Sequence, residues 1–291
     1  MRHLILTSLL LWALSLAAQP VIDHTTLPAA GYDGYRSVAD TLLPASALSS
    51  GPNQSWDFRF LSPVSQLRDS FISRVGAPAG FQFQFSFDAD LVRVQGAEAA
   101  PIPLPVDYAY EFQSVTPSAY ISYGTGVVFT GLPLALVNNP TDTLLDLPLT
   151  YGQADSSYTR AELNVPGVVY LLREQARSYE VGAWGDLQTP FGSFPSLRVR
   201  STLYAYDTLS FDTLAFGQRR DGQVEYQWWS PQLPVPVMQV LMPVPGNPVA
   251  DFSGVTYADS LRNLLPVSRQ QPEPPADLRL YPQPARAQLR L

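Results

Sequence analysis

Glu225 has the most suggestive neighbours of any carboxylate in this chain. It stands in the run Gln223-Val-Glu-Tyr-Gln-Trp-Trp229, beside Tyr226, Trp228 and Trp229. A glycosidase needs a pair of carboxylates, one of them with a raised pKa, and aromatic faces stack on sugar rings. In an extended segment successive side chains point to opposite faces. Val224, Tyr226 and Trp228 then share one face, and Glu225, Gln227 and Trp229 share the other. The first face reads as inward. The second reads as outward, where Glu225 and Trp229 form a candidate ligand platform for a glycan or another surface ligand. Mid-strand aromatics more often pack than bind, so a purely structural role is the simpler reading.

Other chemistries are closed off by composition. The chain has no Cys, so disulfide scaffolds and Cys-ligated zinc are excluded. All 18 basic residues are Arg, and a phosphate cradle of the Gly-x-x-x-x-Gly-Lys type needs a Lys. His3 and His24 are the two histidines, and no Gly-x-Ser-x-Gly elbow occurs, so a Ser-His-Asp site has no base in a suitable place. The tripeptide Asp-Thr-Leu recurs from Asp40, Asp142, Asp207 and Asp212. Its oxygens suit calcium, but turn and strand-edge chemistry explains it more simply. No cofactor is implied. The net charge of −7, without a basic cluster, argues against a nucleic-acid partner.

The elements that must position these residues read as strands. There are 28 prolines in 291 residues, and proline breaks the hydrogen-bond ladder of a long helix. Between the prolines, short runs alternate with period two. Phe81, Phe83, Phe85 and Phe87 alternate with polar residues, as do Val106, Tyr108, Tyr110 and Phe112, and Trp56, Phe58 and Phe60. Aromatic runs of this period predict half-buried antiparallel strands. Thr189-Pro-Phe-Gly192 predicts a hairpin between Ala183–Gln188 and Leu197–Tyr206, with Gly192 at the position that glycine favours in a type I turn. Gly51-Pro-Asn-Gln54 and Asp88-Ala-Asp90 predict two further turns. Val168–Glu180 suits either a helix or a strand, and its place before the hairpin favours a strand. The expected fold is mainly β: an antiparallel β-sandwich or a curved half-barrel sheet spanning residues 19–268.

The two ends carry an address. Arg2 and His3 precede the apolar run Leu4–Leu16, and Ser15-Leu-Ala17 offers a small-residue cleavage site. This is the pattern of a secretory signal peptide over residues 1–18. The run is short for a bilayer span, so no transmembrane helix is expected after cleavage. At the other end, residues 269–277 form a Pro-rich linker, and residues 278–291 open a new strand-like element.

That element resembles the start of the C-terminal sorting domain of the type IX secretion system, the Por secretion tail. Leu278, Leu280, Tyr281, Pro282, Pro284 and Ala285 match its pattern, while Gln283 replaces the usual Asn. About 14 residues are covered, so the sorting domain is truncated relative to the family. The body also resembles a group of exported proteins that carry this tail, through Gly51-Pro-Asn-Gln-Ser-Trp-Asp-Phe58, Ala183–Phe194 with Leu197-Arg-Val-Arg200, and Tyr226–Pro231 with Pro236–Val240. Residues 183–242 are similar as well to periplasmic half-barrels, some of which bind lipid on a concave face. These resemblances imply export through the periplasm to the cell surface or medium, with the type IX machinery as partner. The expected function is non-enzymatic binding or adhesion. The alternatives are a glycan-active hydrolase with paired carboxylates and a carrier of apolar ligands such as lipid.

Overall fold

The computed structural model of the protein describes residues 19–41, 43, 48–96, 106–166, 169–211, 214–219, 222–244 and 254–264. The signal segment, the linker and the sorting motif at Tyr281, Pro282, Pro284 and Ala285 lie outside the described residues. Among the described residues there are fourteen strands and no α-helix. In chain order they are β1 (Asp33–Ala39), β2 (Gly51–Asp57), β3 (Pro63–Ser73), β4 (Leu91–Gln95), β5 (Tyr108–Val115), β6 (Ala119–Phe129) and β7 (Leu132–Asp146). Then come β8 (Ala154–Val165), β9 (Val169–Thr189), β10 (Gly192–Phe211), β11 (Leu214–Arg219), β12 (Gln223–Trp229), β13 (Met238–Pro243) and β14 (Gly254–Asp259).

The expectation of a mainly β, antiparallel fold holds, but the sheet is neither a two-sheet sandwich nor an open half-barrel. Its strands run β10-β12-β13-β14-β1-β3-β4-β5-β6-β7-β8-β9, and β9 pairs back to β10. This closes a twelve-strand antiparallel barrel. Closure removes the exposed edges that an open sheet would present. The closing hairpin is long: β9 has 21 residues and β10 has 20. Its turn is the one expected, with Thr189 paired to Gly192 across Pro190 and Phe191. Gly192 does not have the left-handed backbone that only glycine favours. Each long strand shares its second edge between two partners. β10 takes β12 along Leu197–Leu203 and β11 along Tyr206–Phe211, and β9 takes β8 along Val169–Glu180. Beyond that, β2 runs parallel to β9 at Ala183–Gln188. Of the Val168–Glu180 segment, Val169–Glu180 is strand, as its position suggested, and Val168 lies outside the described residues.

Two sequence expectations fail here for identifiable reasons. The Phe81–Phe87 alternation is not a strand. Ala79–Phe83 forms a 3₁₀ turn that lies on the outer surface of the barrel. Phe81 and Phe85 are four residues apart, a spacing that a helical turn also puts on one side. Both are buried, with Phe85 stacked on Phe112 of β5 at 3.9 Å, whereas Phe83 and Phe87 are exposed. Gly51-Pro-Asn-Gln54 is not a turn but a bulge within β2, with Gly51 at φ 111° and Asn53 at φ 54°. Phe60 falls beyond β2 and is exposed. The turn at Asp88–Asp90 does lead into β4.

The barrel is therefore covered from outside at two places. The second cover is β2, whose Trp56 packs with Phe58 on Trp228 of β12, both at 5.8 Å between ring centroids. Elsewhere the outward face of β8, β9 and β10 is polar, with Arg160, Glu162, Tyr158 and Tyr204 exposed. No helix among the described residues is long and apolar enough to cross a membrane.

A candidate binding site in the barrel lumen

A barrel of eight strands is just wide enough for its side chains to fill the interior, and wider barrels enclose space. Here the two ends of the lumen are filled by apolar side chains and the middle band is not. One end holds Val127, Leu134, Leu136, Leu163, Leu171 and Leu209. The other holds Ile22, Leu27, Leu145, Leu149, Val181, Leu197 and Trp229. Between them the inward positions carry charge and amide groups. A cavity of about 170 Å³ lies there, walled by Arg36, Arg93, Glu111, Gln113, Arg177, Ser201, Glu225, Gln227, Trp229 and Gln239. Pro28, Val235 and Pro236 line it from the segment before β1 and from the β12–β13 connection.

Register places these residues. Arg93 of β4 sits opposite Glu111 of β5, Gln227 of β12 opposite Gln239 of β13, and Ser157 of β8 opposite Arg177 of β9. One hydrogen-bonded chain then runs around the wall. The Trp229 indole N–H donates to Gln227 Oε1 at 2.9 Å, and Gln227 Nε2 donates to Glu225 Oε1 at 2.7 Å. Gln239 Nε2 donates to the same Glu225 oxygen. Arg36 Nη1 donates to Gln239 Oε1 at 3.1 Å, and Arg36 also grips Asp69 through Nε and through Nη2 at 3.0 Å. Arg93 Nη2 donates to Asp69 Oδ1 at 2.7 Å, and Arg93 Nη1 lies 4.0 Å from Glu111 Oε2. On the opposite wall Asp142 accepts from Ser157, from Gln175 Nε2 at 3.2 Å and from Arg177 Nε at 3.2 Å. Tyr120 donates to Gln113 Oε1 at 2.7 Å.

Electrostatics follows from these partners. Asp69 is 2% exposed. Burial alone would push its carboxyl up, but Arg93 and Arg36 outweigh burial and hold it below the usual carboxylate range. Burial first, and then the Glu111 charge, push the Tyr120 phenol well up, so it stays neutral and acts as a donor. A wall of this kind offers fixed donors and acceptors around an unfilled space, the arrangement that orients a small polar molecule.

The structure brings Glu225 and Trp229 together, on the face opposite to the one expected. Both line the lumen, and Trp229 is 4% exposed rather than outward. Trp228 is the residue on the outside of the barrel, where β2 covers it. Alternation sorts the two faces correctly, but both are buried, so it cannot say which is inside. Sequence reasoning missed Arg36, Asp69, Arg93, Glu111 and Arg177. A usable signal was present: charges at single positions within apolar strands, as in Leu91-Val-Arg-Val94. The Asp-Thr-Leu aspartates also resolve. Asp142 pairs with Arg177 and Asp207 with Arg173, Asp40 is exposed, and Asp212 lies outside the described residues. No group of three or more His, Cys, Asp or Glu placed to hold a metal occurs among the described residues.

Fold and site together define a closed antiparallel β-barrel with a charged, partly empty lumen. The chain matches no family model, no curated protein and no solved structure.

Proposed function

We propose that the protein is an exported, non-enzymatic binding protein that takes a small polar molecule into its barrel lumen. The observation that carries this reading is the cavity of about 170 Å³ walled by Arg36, Arg93, Arg177, Glu111 and Glu225. Placing such charges inside a protein costs several kcal/mol each unless they are paired, and well-packed apolar residues would often be no less stable. Their retention around an open space fits a ligand better than a core. The charged wall offers no matching surface to an acyl chain, which weighs against apolar cargo.

Export rests on the signal-peptide pattern of residues 1–18 and on the resemblance at Tyr281-Pro-Gln-Pro-Ala285 to the type IX sorting domain. In this reading the protein passes through the periplasm to the outer surface or the medium. A second reading keeps hydrolysis open, because Glu111 and Glu225 line one cavity with Trp229. The deciding experiment is a thermal-shift and calorimetric screen of small amines, carboxylates and neutral sugars, run beside a hydrolysis assay on soluble glycans. Saturable binding without turnover supports the binding protein. Turnover that is lost in Glu111→Gln or Glu225→Gln supports the hydrolase. Neither binding nor turnover overturns both readings.

A further inference from the structure

Glu225 differs from the other luminal acids. Asp69, Glu111, Asp142 and Asp207 each have an arginine nitrogen within 4.0 Å. Glu225 has none among the described residues. Its Oε1 accepts from two neutral amides, Gln227 and Gln239, and no hydrogen bond reaches Oε2 from the described residues. The nearby Arg36 is committed by hydrogen bonds to Asp69 and to the Gln239 amide, and its charge acts on Glu225 only at longer range. The Trp229 indole lines the same cavity, its N–H held by the Gln227 amide that also donates to Glu225.

A carboxylate with no arginine nitrogen within 4.0 Å, sharing a cavity with an indole, is the chemistry that recognises an organic cation. The charge attracts it, and the indole face adds a cation–π contribution that grows where water is excluded. Two strands along the wall, beyond β10, Arg177 commits Nε to Asp142, while its two Nη atoms meet no acceptor among the described residues. Those donors suit a carboxylate on the same ligand. With a water occupying about 30 Å³ in the liquid, the cavity has room for an amino-acid-sized molecule.

We propose that the lumen binds a small ammonium zwitterion, with its cationic group between Glu225 and Trp229 and its carboxylate toward Arg177. The proposal rests on the lumen being a ligand site and goes further by naming the ligand class.

The test uses the full mature chain and four probes of similar size: trimethylglycine, tetramethylammonium, propionate and glycerol. Binding is read by calorimetry and by tryptophan fluorescence. Trimethylglycine should bind best and tetramethylammonium next. Glu225→Gln should weaken both by about tenfold or more, and Arg177→Gln should weaken only trimethylglycine. Melting curves of both variants establish that they fold, and Glu225→Asp should recover part of the affinity if either is unstable. Preferred binding of propionate or glycerol, or affinity unchanged in Glu225→Gln, overturns the ammonium assignment and leaves the luminal site standing. No binding of any probe overturns the luminal site as well.

Discussion

Asp69→Ala removes the carboxylate on which two guanidinium groups converge. Asp69 accepts from Arg36 through two nitrogens and from Arg93 through Nη2 at 2.7 Å and Nε at 3.2 Å. Hydrogen bonds to charged groups are each worth about 1.5–3 kcal/mol. Summing them overstates the loss, because the bonds share one carboxylate and both cations keep other partners. Arg36 retains Gln239, and Arg93 retains Glu111. Breaking one side of a buried pair costs about 3–5 kcal/mol. Arg36 and Arg93 are 13% and 24% exposed, toward the cavity, so some solvation is recovered and the low end applies. The expected loss is about 3 kcal/mol, or about 6–12 °C in melting temperature for a domain of this size. Urea unfolding of the mature chain at pH 7 measures it, provided the slope of the transition is unchanged. Asp69→Asn should cost nearly as much, since its amide nitrogen would face an arginine donor. The pH dependence has a fixed sign. Asp69 is held below the unfolded value of about 3.9, so its contribution is full above that value and is lost as pH falls through the lower folded value. Wild type should lose stability below about pH 4, with Asp69→Ala showing a shallower loss. A cost under about 1 kcal/mol would mean the lumen screens charge as bulk water does, and the electrostatic reasoning would fail.

Other expectations follow from close approaches and from the chain ends. A Cβ at Gly185 would lie 1.9 Å from the Gln54 carbonyl oxygen, so Gly185→Ala should force β2 off β9, cost about 1–3 kcal/mol and expose Trp56, read as a fluorescence red shift. Gly124 combines φ +127° with a Cβ position 2.0 Å from the Leu136 carbonyl oxygen, so Gly124→Ala should lower the unfolding midpoint clearly. Gly192→Val should cost under about 1 kcal/mol, because the backbone there is ordinary and only the Phe194 ring lies close, at 3.3 Å. Deleting residues 270–291 should leave the melting temperature unchanged. N-terminal sequencing of the exported protein should begin at Ala18 or Gln19, and an intact Met1 would refute signal cleavage.

The strands were legible because their alternation is long and aromatic, and because proline excludes long helices. Val224–Trp229 shows both the reach and the limit of that signal. Its two faces were separated correctly, yet Trp228 and Trp229 are both buried, one under β2 and one in the lumen. An alternating pattern identifies one wet face only when one face is wet, and here layers lie on both sides of the wall. Phe81–Phe87 shows a different limit. Phe81 and Phe85 satisfy the spacing of a strand face and of a helical turn alike, and a tertiary surface on Phe112 chose the turn. The luminal charges were the least legible, because Glu225 of β12 is brought to Arg36, Asp69 and Arg93 of β1, β3 and β4 only through the pairing of β12, β13, β14 and β1, which no local pattern in the sequence announces.

The hairpin of β9 and β10 is what converts a curved sheet into a site. One edge of β10 holds β12, and with it Glu225, Gln227 and Trp229. One edge of β9 holds β8, and β9 itself supplies Arg177. Without the β9–β10 ladder the two charged walls would face water, where screening leaves exposed ion pairs worth about 0–1 kcal/mol. Once the ladder forms, the same charges line one lumen between the apolar cluster of Leu171 and Leu209 and that of Leu149 and Leu197. The apolar ends thus set the dielectric in which the polar band works, and the ladder that joins the walls fixes their separation. Binding strength in the lumen should accordingly track the integrity of a hairpin whose turn, at Pro190 and Phe191, touches none of the charged groups.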